Sequence, residues 1–249
     1  MLVLANTPYS FKPTLIAGCV LYLAADRIAG LVDGAAVAQW DDLSGLGNHG
    51  TQGVAASRPL YRTGVLGGRP SVWLDGVDDF LSLGNAASLN MGVGDLTIYA
   101  VVVAQVAAVA AGAVVSRKLN GGAVPGWAMY VMGATGNNVD ARVADGVNQV
   151  IAAGVVNVNN GVGHVLGYVC ERAVSLRVYT DGAADGAPQG IGLVGNVDSL
   201  EYAAVGRNSQ GNYFQGHVCE VVVYNRALNA GERRRLEAWL GRKYGIGVA

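Results

Sequence analysis

Glutamate and lysine are scarce in this 249-residue chain: the glutamates are Glu171, Glu201, Glu220, Glu232 and Glu237, and the lysines Lys12, Lys118 and Lys243. With charged residues at 14%, the chain lacks the material for exposed amphipathic helices, and its Val-, Ala- and Gly-rich runs favour strands joined by turns. Cysteine is almost missing. Cys19, Cys170 and Cys219 are too few and too widely spaced for a disulfide framework or a thiolate metal site. Cys170 and Cys219 lie in apolar strand-like runs and read as buried free thiols. Neither sign of charge dominates, with 17 basic and 18 acidic residues and a net charge of −1. The one basic cluster, Arg233-Arg234-Arg235 with Arg242 and Lys243, alternates with apolar positions as a solvated helix face does, so nucleic acid is not an expected partner.

No Pro-rich, Ser-rich or charged linker divides the chain. No repeat of about 20–50 residues is present, which excludes a propeller or solenoid and leaves one large domain. Residues 1–18 are an apolar arm interrupted by Pro8 and Pro13, without the basic leader of a signal peptide, so the domain is expected over 19–249. The stretch from Leu96 to Val115 is long enough for a membrane span. Its first half is β-branched and aromatic, however, and Ala110-Ala111-Gly112 offers a turn, so it reads as two buried strands and not as a membrane insertion.

Strand-like runs recur along the rest: 19–24, 71–74, 80–83, 96–106, 127–132, 139–143, 149–153, 164–170, 175–180, 202–206 and 217–224. Asp-Gly and Asn-Gly turns punctuate them, the pattern of an all-β antiparallel sandwich or barrel. One helix closes the chain. Asn229 and Glu232 form a capping box, and Leu236, Trp239 and Leu240 share a face.

The most informative segment is Trp73 to Gly84, WLDGVDDFLSLG. Strand-like flanks enclose an Asp-Gly turn that gathers Asp75, Asp78 and Asp79 within five residues. Hard carboxylate oxygens at this density suit calcium. The same carboxylates can instead accept backbone N–H groups and staple the loop without a metal. Both readings stay open, with the staple favoured and no cofactor required.

Four segments in order carry a family resemblance: WDDLSGLGNHG from Trp40 to Gly50, the DGVDD turn, LRVYTDG from Leu176 to Gly182, and GHVCEVVVYNRAL from Gly216 to Leu228 leading into the terminal helix. Together they resemble the concanavalin A-like lectin/glucanase superfamily, in its laminin-G-like jelly-roll branch. The resemblance implies an antiparallel jelly-roll β-sandwich with a short C-terminal α-helix. It also implies binding more often than catalysis, at the loop rim or on the concave sheet. Glucanases of this fold carry two glutamates flanking an aspartate on one strand face. This chain has no Glu-x-Asp-x-Glu, and Glu220 alone reads as structural. His49, His164 and His217 show neither a nucleophile-elbow context nor a zinc spacing.

Sugar binding needs an exposed aromatic with polar neighbours. Trp127, and the loop Asn208, Gln210, Asn212 and Tyr213, are the candidates, while Tyr130 reads as core. The expected role is therefore a non-enzymatic jelly-roll module. A missing leader and an apolar arm suggest a phage virion component, a capsid decoration or a tail/fibre protein assembled in the bacterial cytoplasm. Its partners would be virion subunits, further copies of itself and host glycans. The alternative is an extracellular, carbohydrate-binding lectin-like protein, and a third reading is a divergent glycoside hydrolase using Glu220.

Overall fold

The structure, a computed structural model, describes residues 11–105, 111–118, 123–133 and 136–249. Its strands in chain order are β1 (Cys19–Ala24), β2 (Gln39–Trp40), β3 (Gly50–Thr51), β4 (Leu60–Leu66), β5 (Arg69–Asp75), β6 (Leu81–Gly84), β7 (Leu96–Ala104) and β8 (Gly112–Arg117). They continue as β9 (Gly126–Val131), β10 (Val139–Ala144), β11 (Gln149–Ala153), β12 (Gly163–Glu171), β13 (Ser175–Thr180), β14 (Ala183–Gln189), β15 (Ala203–Val205) and β16 (Gln215–Tyr224), before helix α1 (Ala230–Tyr244).

Two antiparallel sheets face each other. The first runs β14-β13-β12-β7-β16-β5-β4, and the second β11-β10-β9-β8-β15-β6-β3-β2. Strand β16 organises the first sheet. It pairs with β7 along one edge and, along the other, with β5 over Gln215–Val218 and with β1 over Glu220–Tyr224. The expected all-β sandwich with a C-terminal helix is what the chain forms.

Alternation explains the core. On β7, Leu96, Ile98, Ala100 and Val102 face the second sheet, while Tyr99 and Val101 belong to a second apolar layer on the outer face. That layer is closed by Leu236, Leu240 and Tyr244 of α1 and by Phe11 and Ile16. Covered on both faces from Leu96 to Val102, β7 reads as a continuous apolar run. Residues 96–104 and 112–117 are two strands, as expected; the connection 106–110 between them lies outside the described residues. No helix among the described residues is long and apolar enough to cross a membrane.

Helix α1 starts as its sequence dictates. Asn229 Oδ1 accepts hydrogen bonds from the Gly231 and Glu232 amides, and Glu232 accepts one from the Asn229 amide. Two wholly buried carboxylates then tie the helix to the sheet. Glu237 accepts from Tyr99 Oη at 2.6 Å and from Arg233 at 2.7 Å. Glu220 on β16 accepts from Lys243 Nζ at 2.8 Å and Tyr244 Oη at 2.7 Å. Of the arm read as 1–18, residues 1–10 lie outside the described residues. Residues 11–18 pack on the domain: Phe11 meets Trp239 edge-on at 5.7 Å, and the Pro13 carbonyl accepts from Tyr224 Oη at 3.0 Å.

Strands β2, β3, β4 and β14 were not anticipated from the sequence. The larger surprise is the DGVDD turn. Strand β5 belongs to the first sheet and β6 to the second, so the segment between them crosses the sandwich and does not close a hairpin.

Removing the Glu237 carboxylate leaves the buried Tyr99 hydroxyl without its acceptor and Arg233 with only the Gly182 carbonyl. Glu237→Ala is expected to lower the unfolding free energy by about 3 kcal/mol or more. Asn229→Ala, which removes only the exposed cap, is expected to cost about 1 kcal/mol. Urea denaturation of the two variants measures the difference; equal losses would show that the buried pair does not anchor the helix.

Candidate functional site

The crossing turn is a staple built from its own carboxylates. Asp75 Oδ1 accepts from the amides of Val77 at 2.8 Å, Asp78 at 3.3 Å and Asp79 at 3.4 Å. Asp79 Oδ2 accepts from the Asp75 amide at 3.1 Å, and Asp78 accepts from Ser57 Oγ at 2.9 Å. One oxygen from each of Asp75, Asp78 and Asp79 lies within 4.8 Å of the others, so these three are the residues that could hold a cation. Burial, followed by repulsion from Asp75 and Asp78, pushes the Asp79 carboxyl up to about 6, against the lowering effect of the Asp75 amide.

The loop after β15 lies directly against this turn. A side chain at Gly206 would meet Leu74 and, at 3.3 Å, the Asp79 carbonyl. One at Gly76 would meet Gln215 Cβ at 2.7 Å, and the backbone there is left-handed at φ +79°, so both positions call for glycine. Arg207 then stacks on Phe80, 3.5 Å from the ring centre.

Within the loop, Asn208 is wholly buried and acts as its peg. Its Oδ1 accepts from the Gln210 and Asn212 amides, both at 3.0 Å, and its Nδ2 donates to Tyr130 Oη at 2.9 Å. Gln210 is exposed, and Asn212 and Tyr213 are half-buried. The structure thus brings Asn208, Gln210, Asn212 and Tyr213 together at one rim, with Asn208 as support and the other three as the accessible surface.

Trp127 does not belong with them. Strand alternation turns Trp127, Met129 and Val131 into the core, where the indole donates to the Leu89 carbonyl at 3.1 Å and the side chain has no exposed surface. Tyr130, on the other face of β9, is covered by Arg142, whose guanidinium lies 4.4 Å from the ring centre. Lys118 is buried nearby, and its ammonium is lowered to about 8 by that burial and by Arg142. Of the four tryptophans, Trp40 and Trp127 are enclosed, while Trp73 and Trp239 reach the surface. Sequence reading passed over Trp73 as a contact residue, although its inward neighbours Val72 and Leu74 signal that it points out.

The catalytic readings meet specific obstacles. Glu220 lies under α1, bonded to Lys243 and Tyr244 and closed to substrate. His164 pairs with Asp181 at 2.7 Å and His49 lies 3.4 Å from Asp41 while accepting from the Asp42 amide, whereas the histidine that meets a serine, His217, pairs with Ser71 at 2.8 Å, so among the described residues these contacts do not join into one triad. Ser71 is also fully buried. The three cysteines are free thiols; burial pushes each up to about 12, so none is an activated nucleophile.

Comparison with known proteins agrees with this architecture. A family model described as concanavalin A-like lectin/glucanases superfamily matches residues 75–232, more than half of the chain. No curated protein matches. Among solved structures, the binding domain of Paraclostridial Mosquitocidal Protein 1 superposes with a TM-score of 0.66 at 15% identity, over 92% of this chain and 53% of that one. Domain 4 of AbnA, a GH43 extracellular arabinanase from Geobacillus stearothermophilus solved with arabinotriose, gives 0.63 at 14% identity, over 88% and 98%. Trypanosoma rangeli sialidase in complex with sialic acid gives 0.58 at 16%, over 94% and 34%. The chain thus spans about half of the toxin binding domain and a third of the sialidase.

The Asp79 carboxyl has a pH consequence. Its folded value of about 6 lies above the ordinary range near 4, so the folded state holds this proton more tightly than the unfolded chain. Its contribution to stability is present in full below about pH 4, is lost as pH rises through about 6, and is level above that. Asp79→Asn keeps an acceptor for the Asp75 amide and is expected to flatten this loss and to raise the melting midpoint at pH 7. With the staple already satisfied by amides, adding calcium or chelator is expected to leave the wild-type midpoint unmoved. A calcium-dependent rise that disappears in Asp79→Asn would make the turn a metal site.

Proposed function

The chain belongs to the concanavalin A-like lectin/glucanase superfamily, and from that premise we propose that it is a non-catalytic module that binds glycans at its loop rim. The observation that carries this reading is the loop from Asn208 to Tyr213. One buried asparagine fixes its backbone, and Gln210, Asn212 and Tyr213 are left at the surface. A rigid loop bearing amides and a half-exposed aromatic is the equipment sugar recognition needs, since ordering costs are met before the ligand arrives. The enclosure of Glu220 supports binding over hydrolysis, and the likeness to an arabinanase domain solved with arabinotriose supports a sugar as the ligand.

An assembly role, as a phage virion subunit that also contacts copies of itself, is the second reading. The arm expected to clamp neighbours supports it less now, because residues 11–18 pack on their own domain. What favours it is an apolar edge. Val147 and Leu193 are 84% and 82% exposed beside Val150, around a groove of about 550 Å³ at the β10–β11 turn.

On a glycan array the protein is expected to bind saturably. Tyr213→Ala is expected to weaken that binding at least tenfold, about 1.4 kcal/mol, with an unchanged melting midpoint. Silence across the array, together with a concentration-dependent oligomer in sedimentation that Leu193→Asp disperses, would favour the assembly role.

A further inference from the structure

The Asn208–Tyr213 loop is laid against the outer face of the second sheet. Ala113 of β8 bridges Tyr213 on one side and stands opposite Tyr130 of β9 on the other, and Tyr130 stands opposite Asp140 of β10. Phe214 lies in the core, so Tyr213 projects outward, to the face that carries Ala113 and Tyr130. Tyr213, Ala113, Tyr130 and Asp140 thus form one row, in which Ala113 alone separates the two tyrosines. Three hydrogen bonds fasten the loop along this face. Asn208 Nδ2 donates to Tyr130 Oη at 2.9 Å, Ser209 Oγ to the Lys118 carbonyl at 3.3 Å, and Ser116 Oγ to the Arg207 carbonyl at 2.9 Å. The loop is a wall over β8, and the outer faces of β9 and β10 are the floor beside it.

That floor carries an excess of positive charge. Arg142, opposite Ala128 in the neighbouring row, places its guanidinium 4.4 Å from the centre of the Tyr130 ring. Its Nη2 donates to Asp140 at 3.1 Å and to Met132 Sδ at 3.3 Å. Its Nε has no hydrogen-bond partner, and Nη1 makes no hydrogen bond among the described residues. Lys118 is buried beside it, and the nearby charge that acts on its ammonium is the Arg142 guanidinium. Two cations therefore meet one carboxylate, that of the buried Asp140. The Arg142 side chain is 16% exposed, which makes it the charged member of the group that a ligand can touch. From Tyr213 to the strand of Tyr130 is two strand spacings, about 10 Å, a span for a short oligosaccharide.

A guanidinium with half of its fork unused, held over an aromatic ring with a second cation behind it, suits a carboxylate. Planar N–H donors pair with both carboxylate oxygens, and such charge-assisted bonds are stronger than those a neutral hydroxyl can make.

We propose that Arg142 binds the carboxylate of an acidic sugar within an oligosaccharide that also contacts Tyr213. This rests on the glycan reading above and narrows its ligand to carboxylate-bearing glycans.

Calorimetric titration of the intact chain with trigalacturonate and sialyllactose, and with the uncharged counterparts trigalacturonate methyl ester and lactose, tests this. At least one acidic sugar is expected to bind about tenfold or more tightly than its counterpart, and the gap is expected to narrow as salt is raised. Arg142→Gln is expected to remove the gap and to leave the affinity for the uncharged sugar near that of the wild type. Arg142→Lys, which keeps the charge without the fork, is expected to retain part of the gap. Retained binding of the uncharged sugar reports an intact loop, which a loss of fold would not spare. If the uncharged sugars bind as tightly as the acidic ones, or if Arg142→Gln keeps the preference, the carboxylate site is overturned and the rim reading stands. If no sugar of this panel or of the array binds, both fall together.

Discussion

The carboxylate of Glu220 sits wholly inside the protein, midway along the strand that organises the first sheet. Burial raises its pKa, and the Lys243 ammonium and the Tyr244 hydroxyl oppose that rise. An unanswered carboxylate at this depth would cost several kcal/mol. Helix α1 must therefore bring its last turn to this point. Lys243 in turn bonds Asp26 at 2.9 Å, and Asp26 pairs with Arg69 at 3.1 Å, so the helix end, the segment after β1 and the β4–β5 hairpin are drawn to one locus. With Glu237 holding Tyr99 and Arg233 further up the helix, the cover over the outer face has a fixed direction and a fixed end.

That cover stops partway along β16. Beneath it the outer face is a second core, closed to ligands. Beyond it, Gln215, His217 and Trp73 stay accessible. The same interaction takes up Glu220, the glutamate that a hydrolytic reading would use. A retaining pair needs two carboxyl groups about 5 Å apart around a substrate, and three of the five glutamates are already engaged: Glu220 by Lys243, Glu237 by Arg233, and Glu232 by Arg226 at the helix cap.

Much of this was legible in the sequence. Strand-like runs bounded by turn signals located β1, β11 and β13 to the residue, and the capping box located α1, because both signals are local. The missed strands lack such signals. Strands β2 and β3 are two residues each, and β14, AADGAPQ, carries glycine and proline and becomes a strand only by pairing with β13. Trp127 was read as a platform on the strength of its residue type; its parity with Met129 and Val131 argues for the core. Trp73 has the opposite parity: Val72 and Leu74 point into the core and the indole between them reaches the surface. Buried partners such as Glu220 and Lys243 lie 23 residues apart, and no local pattern announces that they meet.

The DGVDD turn shows how a conspicuous motif acts at one remove. Asp75 and Asp79 point back into the turn's own backbone and Asp78 reaches Ser57, in a chain segment that leaves one sheet and enters the other without a strand ladder to hold it. Carboxylates that accept the freed amides replace that ladder. The crossing is then firm enough for Gly76 to receive Gln215 and for Gly206 to close on Leu74 and Asp79. Those two contacts place the start of β16 and both ends of the 206–214 loop. The acidic turn need not touch a ligand in order to matter: it sets the junction between the 206–214 loop and the start of β16.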